Sequence, residues 1–359
     1  MSAQPINREK TVQLRKLNKL KKEVPWYVEE YLDVKRGNRM SPSTLSQYAR
    51  DFISFFTWLK KQQITDADAI HLIPYEDLGK LRKSEAQAYI DSLQADRGLS
   101  DTTTNRNISS LKSLFKYLST QTEDEEGECY FYRNVFAKID LLRDTSDDTD
   151  KAAQVATKIF QGNTDKEFLR FLVEEYPLEL STQALAHYKR NYPRDLAIIS
   201  LFLGSGIRVS ELVQLTIDDI NFQNNTLNVL RKGNKKSVIL ATKSSLDDVK
   251  EYLKIRQDRY RVPKSQKHVF VTNYRKECTP LSVRAVQHIV GKYTQNFITK
   301  MSPHKFRHTF ATKHWLVNHD QISLMRQLGH NSIQTTTIYT NMDMSDLEKQ
   351  MDALDEYEV

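Results

Sequence analysis

Thr226-Leu227-Asn228-Val229-Leu230-Arg231-Lys232-Gly233-Asn234-Lys235-Lys236-Ser237-Val238-Ile239-Leu240 is the stretch on which the fold turns. Thr226 to Leu230 and Ser237 to Leu240 are β-rich. The five residues Arg231 to Lys235 join them, with Gly233 and Asn234 available for positive φ, so a β-hairpin is predicted with Lys232 at its tip. On either side the texture is helical. Upstream, apolar residues recur at helical spacing around Lys166 to Glu175 and Asp195 to Leu203; Gly204-Ser205-Gly206 then breaks the chain, and a new helix begins near Val209. From Ser282 onward the pattern is helical again. Residues 159–343 thus read as one α+β domain, mainly α with a small β-sheet.

Further out lies a second, helical block. Thr44 is a candidate cap for a helix in which Leu45, Tyr48, Phe52, Phe55, Phe56 and Leu59 share a face, with Gln47 and Arg50 opposite. A similar element follows Thr103 or Thr104, with Ile108, Leu111, Leu114, Phe115 and Leu118 inward and Arg106, Ser109, Lys112 and Lys116 outward. With a weaker pattern at Ala86 to Leu93, residues 24–120 read as a small helical bundle with a basic face. Residues 1–23 form a basic N-terminal extension. Residues 121–158 read as an acidic linker carrying a short apolar patch at Val135 to Leu142.

The charge is distributed in blocks. The 359 residues carry a formal net charge of +7. Residues 1–122 hold 20 Lys/Arg against 14 Asp/Glu, and residues 151–340 hold 29 against 15. Between them residues 123–150 hold 3 against 10, and the last 19 residues hold 1 against 7. Two basic modules separated and followed by acid suit a polyanionic partner gripped at two places. Cys129 and Cys278 are the two cysteines, with no spacing for zinc or a disulfide framework, which suggests a reducing compartment. Residues Met1 to Lys22 lack the apolar core of a signal peptide, and no stretch has transmembrane length, so a soluble, cytoplasmic protein is expected.

Four local signals carry chemistry: Arg208 in Gly206-Ile207-Arg208-Val209-Ser210-Glu211-Leu212; Lys232 on the hairpin; His304-Lys305-Phe306-Arg307-His308-Thr309-Phe310-Ala311-Thr312, where His304 and Arg307 share a helical face; and Leu328-Gly329-His330 with Tyr339 nine residues on. Singly, each has an ordinary structural explanation. His304 and His308 suggest a metal site only until Lys305 and Arg307 are noticed, since both repel a cation, and no Glu follows His304 as in HExxH. Basic surroundings suit a phosphate instead. Taken together, two arginines, a lysine, two histidines and a tyrosine are the parts needed to exchange one phosphodiester oxygen for another. Arginines neutralise the charge that grows on the non-bridging oxygens, while His and Lys move protons for the tyrosine and for the departing sugar oxygen.

In order and spacing over roughly residues 160–345, these motifs resemble those of the tyrosine recombinase (phage integrase) family: G-[LI]-R-x-S-E-L, a hairpin lysine, H-x-L-R-H-[ST]-F-A-[ST], then L-G-H and a tyrosine. Phe306 stands where leucine is usual, and Asn341 where histidine often follows the Tyr-Thr pair. The resemblance implies a SAM-like core-binding domain and a catalytic domain closing as a C-shaped clamp on double-stranded DNA. It assigns Tyr339 as the nucleophile forming a 3′-phosphotyrosyl bond, Arg208 and Arg307 as the phosphate clamp, and Lys232 as the acid for the 5′-oxygen. His304 would assist the tyrosine's proton transfer, and His330 would hydrogen-bond the phosphate. No metal, ATP or other cofactor is implied. Base-reading positions are guesses from the polar faces: Gln47, Arg50, Arg106 and Lys112.

Ser345-Asp346-Leu347-Glu348 is a capping box, with Met344, Leu347, Met351 and Leu354 in one apolar stripe. In recombinases of this type such a helix, here residues 344–359, is exchanged between protomers of a tetramer, although folding back on its own domain is the plainer alternative. The chain is most similar to the Xer subgroup, in the version that works alone on one dif-like inverted repeat to resolve chromosome dimers. The septal DNA translocase FtsK is the candidate protein partner that this resemblance implies. A phage or transposon integrase is the rival within the family, and a type IB topoisomerase-like relaxing enzyme or a DNA-binding protein with a dead site are the rivals outside it.

Overall fold

The computed structural model describes residues 8–143, 157, 159–231, 235–275, 277–329 and 339; of residues 8–10 it describes the backbone only. The chain divides near Thr145 into two compact units, each with its own core. In the first unit the helices are α1 (Arg8–Lys21), α2 (Trp26–Gly37), α3 (Pro42–Lys61), α4 (Tyr75–Lys80), α5 (Lys83–Ala95) and α6 (Asp101–Thr120).

Apolar spacing produces α3 and α6 as expected, with Phe52, Phe55 and Phe56 fully buried against Ile108, Leu111 and Phe115. The caps differ from the expectation. Ser41 rather than Thr44 caps α3, accepting the Thr44 amide at 3.2 Å, and Pro42 occupies the first turn, where its missing N–H costs nothing. Ser100 stands at the N-cap of α6. The basic extension contains a packed helix: Leu17 of α1 is buried, and Lys21 reaches Asp33 at 2.6 Å and Glu29 at 2.8 Å.

Part of the segment read as linker also belongs to this core. Phe136 is fully buried, its ring 4.7 Å from Phe115 and 5.6 Å from Phe55. Asn105 then ties the chain down at Leu142 through both backbone groups, at 2.9 and 2.7 Å. The apolar patch at Val135 to Leu142 is thus part of the first core, its burial outweighing the charge of the exposed neighbours.

The second unit contains α7 (Thr164–Glu174), α8 (Thr182–Ser205) and the short α9 (Val209–Leu212). A three-stranded antiparallel sheet follows, ordered β1 (Ile220–Asn221), β2 (Thr226–Arg231) and β3 (Lys235–Leu240). Then come α10 (Lys243–Tyr260), the hairpin β4 (Val271–Tyr274) and β5 (Glu277–Pro280), α11 (Val283–Phe297), α12 (Pro303–Asn318) and α13 (Gln321–Leu328). The predicted hairpin is present, with Arg231 opposite Lys235. Leu227, Val229 and Ile239 face the core, whereas Leu230, Val238 and Leu240 face out.

A buried polar knot fastens the α8 layer to α11. Asp195 receives Arg194 at 2.7 Å and the Tyr293 hydroxyl at 2.9 Å, while Arg194 also donates to the Val271 carbonyl at 3.2 Å. Among the described residues no helix is long and apolar enough to cross a membrane.

Candidate active site

The site begins where α8 ends. Gly206 takes the left-handed conformation at φ 63°, and a Cβ there would stand 2.5 Å from the Phe310 ring, so both backbone and space require glycine. The turn delivers Arg208 to the N-cap of α9. Glu211, three residues on, accepts the Arg208 amide at 3.0 Å and its guanidinium at 2.9 Å. This carboxylate is 4% exposed, so one buried charge both caps the helix and aims the arginine. The Arg208 guanidinium also donates to the Gly329 carbonyl at 3.2 Å.

Arg307 comes from α12 and is 3% exposed. It donates to the Gly206 carbonyl at 2.6 Å and to the Leu328 carbonyl, joining the turn before Arg208 to the end of α13. Burial and the neighbouring Arg208 push its pKa down to about 10, which leaves it charged at neutral pH. The α13 helix closes with Gly329 at φ 62°, where a Cβ would overlap the guanidinium of Arg231. Arg231 donates to the carbonyls of Arg326 at 3.3 Å and Gln327 at 2.8 Å. The Gln327 side chain bonds both backbone groups of Leu240 and the Ser205 carbonyl at 2.7 to 3.0 Å. Hairpin, α13 and arginine turn are thus fastened to one another.

Tyr339 is 2% exposed and packs with Ala311, Leu324 and Leu328. Burial pushes its phenol up to about 12, while Arg307 and Arg208 pull the other way, placing both cations close to it. Its hydroxyl lies 2.8 Å from Nδ1 of His308. His304 sits one turn earlier on α12, its ring 4.3 Å from that of His308 and edge-on to it. Desolvation, then Arg307, Lys305 and Arg208, lowers the His304 pKa although part of its side chain reaches solvent.

Of the six residues assigned from the motifs, Arg208, His304, Arg307 and Tyr339 are therefore gathered in one place, from α9, α12 and the segment after α13. Lys232, His330 and the tail helix of residues 344–359 lie outside the described residues. Glu211, His308, Arg231 and Gln327 received no role from the sequence. Glu211 was legible there as the third helical residue after a non-helical arginine, and His308 as the second histidine of its motif; Arg231 and Gln327 carried no signal.

Two of the four guessed base readers, Gln47 and Arg106, share one carboxylate in the first unit. Asp51, 3% exposed, accepts from Gln47 at 3.1 Å, from Arg106 at 3.1 Å and from Asn107 at 3.2 Å. Arg50 reaches Gln47 at 3.4 Å and Lys112 is half-buried on α6. Among the described residues no group of three or more His, Cys, Asp or Glu stands together as a metal site.

Known proteins show the same two-part organisation. The model of the phage integrase family matches residues 179–346, and that of its N-terminal SAM-like domain matches residues 28–122. Tyrosine recombinase XerS of Streptococcus sanguinis is 37% identical over 350 residues, covering 95% of this chain and 98% of that protein. XerS of Streptococcus pneumoniae is 34% identical over 355 residues, covering 96% of this chain and all of that one. Among solved structures, XerH site-specific recombinase on palindromic difH substrate superimposes with a TM-score of 0.66 at 18% identity, covering 98% of both chains. The lambda integrase dimer on a core site gives 0.58 at 16%, covering 88% of this chain and 94% of that one, a likeness of fold alone. The chain belongs to the phage integrase family of tyrosine recombinases, as a Xer-type site-specific DNA recombinase.

Proposed function

We propose that this recombinase resolves chromosome dimers at a dif-like inverted repeat, using Tyr339 as nucleophile. The observation that carries the site assignment is the convergence of Arg208, Arg307 and Tyr339 from distant segments around the Gly206 turn and the end of α13. Two guanidiniums suit the non-bridging oxygens of a phosphodiester, whose charge grows in the transition state. Attack by the phenol oxygen forms the 3′-phosphotyrosyl ester and releases a 5′-hydroxyl. The ester keeps the energy of the broken bond, so a 5′-hydroxyl from the partner duplex rejoins the strand without ATP. On the family resemblance, Lys232 protonates the departing 5′-oxygen, His304 assists proton transfer and His330 hydrogen-bonds the phosphate.

The dif-like site and the dimer-resolving role rest on the nearly full-length similarity to XerS proteins. A dimer on each site, a tetramer across two sites, exchange of residues 344–359 and activation by FtsK belong to the same reading. Gln47, Arg50, Arg106 and Lys112 remain the proposed DNA-facing residues of the first unit.

The test is covalent capture. With a nicked duplex bearing the site, the parent protein accumulates a protein–DNA adduct, and Tyr339→Phe shifts the same duplex on a gel with no adduct. An adduct formed by Tyr339→Phe would overturn the assignment. Plasmid lacking the site stays supercoiled if the enzyme is a site-specific recombinase, and is relaxed if it is a topoisomerase.

A further inference from the structure

We propose that His308 is the group that takes the Tyr339 proton when the hydroxyl attacks phosphorus, and that returns it on rejoining. The inference rests on the reading of Tyr339 as nucleophile and adds the residue that activates it. A phenol with an ordinary pKa near 10 is a poor nucleophile at neutral pH, and the buried position of Tyr339 makes ionisation harder still. Arg208 and Arg307 favour the phenolate electrostatically, but a guanidinium has no lone pair with which to accept a proton. The Glu211 carboxylate is engaged by the Arg208 amide and guanidinium. Nδ1 of His308 lies 2.8 Å from the hydroxyl and accepts from it in the tautomer that carries its hydrogen on Nε2.

Local structure explains why His308 stands there. It follows Arg307 directly on α12, so the same helical turn fixes the phosphate-facing guanidinium and the imidazole. The His304 ring, 4.3 Å away and edge-on, backs the His308 imidazole rather than replacing it. His304 then assists the proton transfer through His308, as a positioning residue.

The step balances. As the Oη–phosphorus bond forms and the phosphorus–O5′ bond breaks, the phenolic proton passes to Nδ1 and gives an imidazolium, while the 5′-oxygen takes its proton from the acid on the opposite side. The substrate diester and the phosphotyrosyl diester each carry a single negative charge, and the extra charge of the transition state falls on the oxygens between the two guanidiniums. On rejoining, the imidazolium returns the proton to the departing phenolate.

His308→Gln separates proton acceptance from hydrogen bonding, since the amide fills the site yet takes no proton near neutral pH. The measurement is single-turnover adduct formation on the nicked duplex, with Tyr339 or a fluorinated tyrosine of lower pKa at position 339. His308→Gln should lose about 10²- to 10⁴-fold in cleavage while DNA binding changes by less than about threefold. Fluorotyrosine should recover at least about tenfold of that loss, yet alter the rate by less than about threefold when His308 is intact. Parental cleavage by His308→Gln, or a loss that fluorotyrosine does not lift, would refute the proposal. The arm with His308 intact does not depend on the folding of any variant, and a tenfold gain there would also refute it. An adduct in Tyr339→Phe would instead strike down the nucleophile assignment and leave its own distinct signature.

Discussion

Glu211 is the residue on which the geometry of Arg208 depends. A buried carboxylate that caps a helix and grips a guanidinium holds that guanidinium in one orientation, which a neutral amide does only in part. Glu211→Gln should therefore reduce adduct formation about 10²-fold, the scale of a misplaced reacting group, while binding of the duplex holds. A single-turnover assay run beside a gel shift checks this, and equal losses in both would point to a folding defect. The motifs named both arginines and the tyrosine because their chemistry is tied to short, spaced patterns. They pointed to His304 for the tyrosine's proton, whereas His308 is the histidine against the hydroxyl; the two lie four apart on one helix, and spacing alone does not separate them. Phe306, where leucine is usual, proves to be a packing choice. It is fully buried, 5.6 Å from the Phe160 ring and 5.8 Å from that of Phe168.

Elements were legible wherever apolar residues recur with a clear period, as in α3, α6 and the β2–β3 hairpin. Misreadings fell where composition and burial disagree. α1 has only Val12, Leu14, Leu17 and Leu20 among many basic and polar residues, and the apolar patch holding Phe136 lies in an otherwise acidic segment read as linker. The knot at Asp195 was equally hidden, since a buried Arg–Asp pair has no periodic signature. Its consequence is energetic: removing one member leaves the other buried and uncompensated, which costs about 3–5 kcal/mol. Asp195→Ala should lower the stability of the second unit by that amount in urea titration, because Arg194 and the Tyr293 hydroxyl lose their shared partner. Asp195→Asn, which keeps an acceptor for Tyr293 but loses the charge, should fall between. A loss below about 1 kcal/mol for Asp195→Ala would show that water replaces the carboxylate as acceptor.

At the scale of the whole chain, the described residues fall into two compact units, each with its own core. Both units are rich in buried tyrosine, which gives the molecule a defined weakness at high pH. Burial pushes Tyr31 and Tyr89 in the first unit, and Tyr188 and Tyr339 in the second, from the ordinary phenol value near 10 up to about 12. The unfolded chain releases these protons near pH 10, whereas the folded chain keeps them until about pH 12. Between those limits the folded state binds more protons, so stability is complete below pH 10 and declines as pH rises. For Tyr31 and Tyr89, which are almost wholly buried, the loss is on the order of 2 kcal/mol each by pH 12. Urea midpoints measured between pH 8 and pH 11.5 should be flat up to about pH 9.5 and fall beyond it. The part of the phenolate absorbance that belongs to these buried tyrosines should appear together with unfolding rather than before it. Phenolate appearing fully at pH 10 with the midpoint unchanged would mean that these hydroxyls meet water in the folded protein, and that the tight cores around Phe52 and Tyr293 breathe far more than their packing implies.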